Sequence, residues 1–224
     1  LHDTRLYDHG ARLWHQRCVP DAPTRVVALL HDPSQVPDSS LSHMVADFGT
    51  VTWTLGDAGL DVPATVAAFG DEPVYVAATA FALAELLQSQ PPSLPPGSVV
   101  MVTGGFKGRN VSVSDEELYE RCRSLLQPAR LITEYGMTEL SSQLWGTPGQ
   151  PFSAPPWLRA YVVDPATGAQ RPAGSPGQLR FVDLCNLDSA VTIETLDQGT
   201  VGPDGSVLLE GRLEGSEARG CSLT

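Results

Sequence analysis

The sequence predicts an α/β fold with a largely parallel sheet and flanking helices, followed by a smaller β-rich subdomain. In the first part of the chain, short apolar runs rich in β-branched residues alternate with segments whose apolar residues recur at helical spacing. After Pro151 the β-prone segments are short and are separated by turns. We therefore expect one domain in residues 1–150 and a second in residues 151–224.

The parallel sheet is predicted from apolar runs that are separated by helical segments. The strands are expected at residues 25–30, 51–54, 73–78, 98–102 and 130–134. Helices are expected over residues 5–18, from the serine-rich segment 39–44, over 81–88, and after Ser114, where a Glu three residues later completes a capping box. Strands connected in this way pair in parallel, and ligands of open α/β sheets bind at the carboxyl ends of such strands.

Composition narrows the classes of function. The 224 residues include 14 Lys+Arg and 26 Asp+Glu, which gives a net charge of −12 and excludes a surface that wraps nucleic acid. A hydrophobic content of 42% excludes intrinsic disorder. No apolar run approaches the roughly 20 residues of a membrane-spanning helix, and the first residues are too polar for a secretory signal. Because the four cysteines are widely spaced, we expect reduced thiols in a cytoplasmic protein.

The second part of the chain has the pattern of a smaller β-rich subdomain. Its β-prone segments lie at residues 157–164, 177–184, 191–195 and 206–209. Turn-forming pairs, Asp164-Pro165 and Asp204-Gly205, separate them.

Two glycine-bearing turns follow predicted strands. The first, residues 103–108, contains the pair Gly104-Gly105, which would let the backbone approach a flat ring or a phosphate closely. The segment lacks the spacing of a P-loop. On its residues alone, it is more simply interpreted as a turn at the end of a strand.

The second turn, residues 133–139, places a hydroxyl and a carboxylate side by side after a glycine. Thr138 is suited to donate to a phosphate oxygen, and Glu139 to bind Mg²⁺, which prefers carboxylate oxygen and substrate phosphates. Tyr135 is suited to stack on a base. For an isolated Thr-Glu pair, a capped helix start is the more common explanation.

These residues resemble the signature of the adenylate-forming ligase superfamily. Nearly the whole chain is similar to its acyl-protein synthetase (LuxE-like) family, which is related to phenylacetate–CoA ligases. The matching stretches occur in the family's order and lie at residues 39–44, 103–109, 134–140, 155–159, 193–197, 211–212 and 219–221. The resemblance implies that ATP and Mg²⁺ are used to convert a carboxylic acid, here expected to be a fatty acid, into acyl-AMP.

The resemblance also implies a role for each matching residue. It places Gly104, Gly105 and Phe106 against adenine, with Tyr135 packed on the ring. Thr138 would contact the α-phosphate, Glu139 would hold Mg²⁺, Asp197 would accept from the ribose hydroxyls, and Arg212 would bind ribose or phosphate. The full nucleotide-binding set implied is Gly104, Gly105, Phe106, Glu134, Tyr135, Gly136, Met137, Thr138, Asp197 and Arg212.

The resemblance further implies that Cys221 carries the acyl group as a thioester. Arg219 nearby would favour its thiolate form. An acyl-accepting or reductase protein would then be a partner. The family's phosphate-embracing loop has no match in the sequence, so we expect a chain truncated at its N-terminus. Two alternatives stay open: a ligase that forms acyl-CoA or an amide, and a non-catalytic binding module.

Overall fold

The computed structural model describes residues 3–105 and 114–213, in which a mixed six-stranded sheet lies beside a four-stranded antiparallel sheet. In the larger sheet the strand order is β2-β1-β5-β6-β7-β8, and only β8 runs antiparallel to its neighbour. With elements numbered along the chain, its strands are β1 (Arg25–Leu29), β2 (Thr50–Trp53), β5 (Tyr75–Thr79), β6 (Val99–Thr103), β7 (Arg130–Tyr135) and β8 (Leu144–Gly146).

Five helices and a small hairpin surround this sheet among the described residues. The helices are α1 (Arg5–Cys18), α2 (Ser40–Ala46), α3 (Val62–Phe69), α4 (Ala80–Gln88) and α5 (Asp115–Leu125), and the hairpin strands are β3 (Leu55–Gly56) and β4 (Gly59–Leu60). Side chains fix several helix starts. Ser114 accepts a hydrogen bond from the Glu117 backbone N at 3.1 Å, as the capping pattern predicts, and Thr79 caps α4 through Ala82.

Both faces of the parallel sheet are buried, which explains why its strands are apolar at almost every position. On one face, residues such as Val27 and Val76 pack against α3, α4 and α5. On the other face, Val26 and Tyr75 pack against α1 and α2. All five residues of β5 are buried, and this central strand holds the two layers together.

The second sheet is built from antiparallel neighbours in the order β12-β11-β10-β9. Its strands are β9 (Leu158–Val163), β10 (Pro176–Asp183), β11 (Thr192–Val201) and β12 (Val207–Arg212). Its inner face shares one apolar cluster with Leu140, which lies before β8, and with Leu144, which is the first residue of β8. The segment after β7 therefore joins the two sheets, and the site lies along it.

The predicted fold class is confirmed: a mostly parallel sheet with helices on its faces precedes a β-rich region. The sequence did not predict three short features, namely the β3–β4 hairpin, helix α3 and strand β8. Within residues 3–105 and 114–213, none of the helices has both the length and the apolar character that crossing a membrane would require.

Candidate active site

A cleft of about 1130 Å³ opens where the carboxyl ends of β6 and β7 face strands β11 and β12. It is lined by residues from both sheets, from α5, and from the turn that follows β7. The predicted site residues among its lining are Gly104, Gly105, Glu134, Tyr135, Gly136, Met137, Thr138, Glu139, Asp197 and Arg212. The structure thus brings together every predicted site residue that it describes. Phe106 and Cys221 lie outside the described residues.

The glycine pair after β6 leaves one wall of the cleft without side chains. Gly104 has φ +71°, a left-handed conformation that favours glycine, and nothing lies within 4 Å of the position where its Cβ would be. A Cβ on Gly105 would lie 2.9 Å from the Asp115 carboxylate at the start of α5. At the carboxyl end of β6, a ligand would contact the backbone of the two glycines directly.

Three polar residues form a row across the ends of the central strands. The parallel register pairs Thr79 with Thr103 and Thr103 with Glu134, and all three side chains line the cleft. Thr103 Oγ1 donates to Glu134 Oε2 at 2.5 Å. Burial raises the pKa of Glu134 to about 7, although the hydrogen bond from Thr103 acts in the opposite direction. A Cβ on Gly136 would collide with the other Glu134 oxygen, so a larger residue there would force the Glu134 carboxylate to shift.

Asp197 is held by two donors from different sheets. Tyr135 Oη donates to its Oδ2 at 2.7 Å, and Arg212 Nε, opposite it in the β11–β12 ladder, donates to its Oδ1 at 3.0 Å. Burial, followed by the charge of Asp197, raises the pKa of Tyr135 well above its ordinary value, which keeps the phenol a donor. A carboxylate oxygen can accept two hydrogen bonds, so this arrangement orients Asp197 and leaves acceptor capacity for a ligand.

Thr138 and Glu139 are exposed to the cleft at the turn after β7. Their backbone is anchored from the second sheet, because Asn186 Nδ2 donates to the Glu139 carbonyl at 2.7 Å and Asn186 Oδ1 accepts from Ser141 N at 2.8 Å. This anchoring fixes the turn along which Thr138 and Glu139 line the cleft.

Asp183, at the end of β10, holds the next part of the turn. It is fully buried, and it accepts from Ser142 N and Ser142 Oγ at 2.9 Å and from Cys185 N at 3.0 Å. Trp157 Nε1 donates to the same serine hydroxyl. The sequence offered no sign of this role, because the partners are 41 residues apart.

We expect Asp183→Asn to destabilise the fold, because its amide NH₂ would replace an acceptor that faces buried donors. The loss should be about 2 kcal/mol in the free energy of unfolding, measured by urea denaturation. Asp204→Asn is the matched control, since Asp204 makes similar bonds to Ser206 in an exposed turn. Equal losses in the two variants would contradict a structural role for Asp183.

The other end of the cleft contains residues to which the sequence analysis assigned no site role. Tyr7 on α1, Ser40 and Met44 on α2, and Gln143 before β8 line it. Gln143 Nε2 donates to Tyr7 Oη at 3.3 Å across 136 residues of sequence. No local motif marks such a pair.

The fold of the chain is similar to that of several solved structures. ATP-bound MatB from Rhodopseudomonas palustris superposes with a TM-score of 0.66 at 15% identity, over 92% of this chain and 44% of that one. The o-succinylbenzoate coenzyme A synthetase MenE from Bacillus subtilis, in complex with AMP, gives 0.64 at 16%, over 93% and 45%. The chain has the fold of the adenylate-forming ligases.

The amide bond synthetase McbA from Marinactinospora thermotolerans shares the adenylate-forming fold, with a TM-score of 0.60 at 18% identity over 91% of this chain and 45% of its own. The chain thus spans less than half the length of these proteins. No protein-family model matches the chain, and no curated protein matches it significantly.

Proposed function

We propose that the chain binds ATP and a carboxylic acid and activates the acid as an acyl adenylate for transfer to a thiol. The observation that carries the proposal is the shared cleft. Gly104-Gly105, the pair Thr138 and Glu139, and Asp197 come from three separate parts of the sequence and line one cavity. Its fold is the one found in ATP-bound MatB and AMP-bound MenE.

The chemistry requires two anions to meet. A carboxylate oxygen attacks the α-phosphorus, the bond from that phosphorus to the β-phosphate bridging oxygen breaks, and pyrophosphate leaves with the electron pair. Donors aimed at the α-phosphate lower the barrier by stabilising the charge that develops there. Thr138 would supply one such donor at the cleft wall.

Nucleotide recognition would use the fixed groups of the cleft. Asp197 would accept hydrogen bonds from the two ribose hydroxyls through the acceptor capacity that Tyr135 and Arg212 leave. The bare backbone at Gly104 would admit the flat face of adenine. Arg212 would add positive charge near ribose or phosphate.

The Glu139 carboxylate fits a Mg²⁺ ligand, since Glu139 is an exposed residue of the cleft lining and Mg²⁺ commonly binds one or two carboxylates together with substrate phosphates. In the part of the chain that the structure describes, no three His, Cys, Asp or Glu side chains are grouped to hold a metal. Phosphate oxygens and water would therefore complete the coordination. When bound, the ion would offset negative charge on the phosphates.

The proposed thiol acceptor and the acyl-protein synthetase assignment rest on the resemblance around Cys221. In a protein of this type the cysteine would attack the carbonyl of acyl-AMP and form a thioester, with AMP leaving. Trapping a hydroxylamine-labile acyl group that is lost in Cys221→Ser supports this acceptor. A wild-type chain that forms acyl-AMP but retains no protein-bound acyl group would favour transfer to coenzyme A or an amine.

Carboxylate-dependent exchange between ATP and pyrophosphate tests the central proposal. We expect exchange only when a suitable acid is present, because pyrophosphate returns to acyl-AMP in the reverse step. Titration of ATP into the 224-residue chain is the companion measurement. A chain that binds no ATP would refute the proposal.

A further inference from the structure

The end of the cleft away from Asp197 is a half-apolar recess between two helices and the sheet. Leu41 and Met44 of α2 form its apolar wall and are 8% and 3% exposed. Tyr7 from α1 closes it, and its hydroxyl donates to the Ser40 carbonyl at 3.2 Å. The recess is therefore a built part of the structure, and the nucleotide residues do not account for it.

Gln143 is a largely buried residue that lines this recess. The residue is only 6% exposed, and its Nε2 donates to Tyr7 Oη at 3.3 Å and to the Ser141 carbonyl at 3.5 Å. Its Oε1 accepts no hydrogen bond from the described residues. Gln143 Oε1 keeps access to the cleft. Covering such an acceptor without supplying a donor costs roughly 1–3 kcal/mol, so a ligand that donates to it is favoured over one that only covers it.

The recess continues directly from the proposed reaction centre. Gln143 Cγ lies 3.7 Å from the position of a Cβ on Gly136, and Gly136 precedes Thr138 by two residues in the same turn. An acid whose carboxylate lay at Thr138 would extend past Gly136 towards Gln143. The tail of the acid would end among Leu41, Met44 and the glutamine amide.

The apolar residues of β5 and α4 do not line this recess. The Ala/Leu-rich stretch 76–87 is largely core, and Thr79 is its sole residue among the cleft lining that the structure describes. A plain alkyl tail would cover the Gln143 acceptor and leave it unpaired. A hydroxyl on the tail would donate to that oxygen while its carbons pack on Leu41 and Met44.

We propose that this recess binds the tail of the substrate acid and selects carboxylic acids that carry a hydroxyl over plain fatty acids of equal length. The inference rests on the proposed function and adds the class of substrate. It assigns Gln143 as the specificity-determining residue. Sites built to pair a substrate hydroxyl reject analogues without it, because a buried group then stays unpaired.

The test compares alkanoic acids of about four to about eight carbons with their terminally hydroxylated counterparts, titrated calorimetrically into the whole chain with and without ATP. For the chain length that fits, we expect the hydroxy acid to bind about tenfold to 100-fold more tightly. The wild-type chain alone can overturn the proposal. It does so if every hydroxy acid binds no more tightly than the plain acid of the same length, or if no acid binds.

Gln143→Leu should bring that ratio close to one. Gln178→Leu is the matched control, because Gln178 is equally buried, at 6%, and lies in the second sheet outside the cleft lining. An unchanged ratio in Gln143→Leu, with folding verified by circular dichroism, would also overturn the assignment. Failure to bind ATP refutes the proposed function separately, since the acid preference is measured without nucleotide as well.

Discussion

Asp197→Asn is expected to weaken ATP binding about 100-fold. The two ribose hydroxyls would lose charge-assisted hydrogen bonds worth roughly 1.5 kcal/mol each, and 1.4 kcal/mol corresponds to a tenfold change in affinity. The amide would also present an NH₂ group to Tyr135 or Arg212, both of which donate to the carboxylate. Isothermal titration of ATP into the wild-type chain and the variant measures the difference.

The nucleotide itself provides the sharper control. In the wild type, 2′,3′-dideoxy-ATP should bind about 100-fold more weakly than ATP, whereas in Asp197→Asn the two nucleotides should bind alike. Asp164→Asn is the matched protein control, because Asp164 pairs with Arg171 in the connection between β9 and β10 and lies outside the cleft lining. A dideoxy penalty that persists in Asp197→Asn would show that the ribose hydroxyls contact other groups.

The larger elements of the fold could be predicted because their signals are local. A buried parallel strand such as β5 is a continuous apolar run, and α5 begins at Ser114, whose side chain caps it as the sequence predicts. The β3–β4 hairpin and β8 have two or three residues per strand, too few for any periodicity. Helix α3 is apolar on nearly all sides, which hides its period. Its start was readable, since Asp61 caps it and Pro63 follows in the first turn.

The candidate site likewise contains residues that the local sequence predicts and residues that it does not. Gly104 and Thr138 were accessible to sequence reasoning because each follows a strand directly, and a parallel sheet brings those ends to one edge. The Asp197 contact with Tyr135 joins residues 62 apart, and the Tyr7 contact with Gln143 joins residues 136 apart. Tertiary packing alone creates such pairs. Asp197 was selected through the resemblance, whereas nothing drew attention to Gln143.

Glu134 should make the fold less stable as pH rises. Burial raises its pKa from 4.5 to about 7, so between these values the folded state binds more protons than the unfolded state. Stability then falls with rising pH across this window, by a total of about 3 kcal/mol, and is flat above it. In Glu134→Gln this decline should disappear from the pH dependence of the free energy of unfolding.

His15 should make the fold less stable as pH falls, which is the opposite of the effect of Glu134. It lies on the buried face of α1 with 5% exposure, stacked on Phe48 at a centroid distance of 4.0 Å, with Nε2 3.1 Å from Tyr75 Oη. Burial, with a smaller effect of Arg130, lowers its pKa from 6.5 to about 4. The unfolded state then binds more protons between these values, so stability is lost as pH falls, again by about 3 kcal/mol in total.

The two opposing contributions overlap between about pH 4.5 and 6.5 and nearly cancel in the wild-type chain. Each substitution should therefore expose the other group. Glu134→Gln should become more stable as pH rises from 4 to 6.5, and His15→Gln should become less stable as pH rises from 4.5 to 7. The test compares how the free energy of unfolding changes with pH. A constant loss of stability caused by the substitution itself therefore does not affect it. Urea denaturation across this range decides it: parallel curves for the three proteins would mean that both groups keep ordinary pKa values.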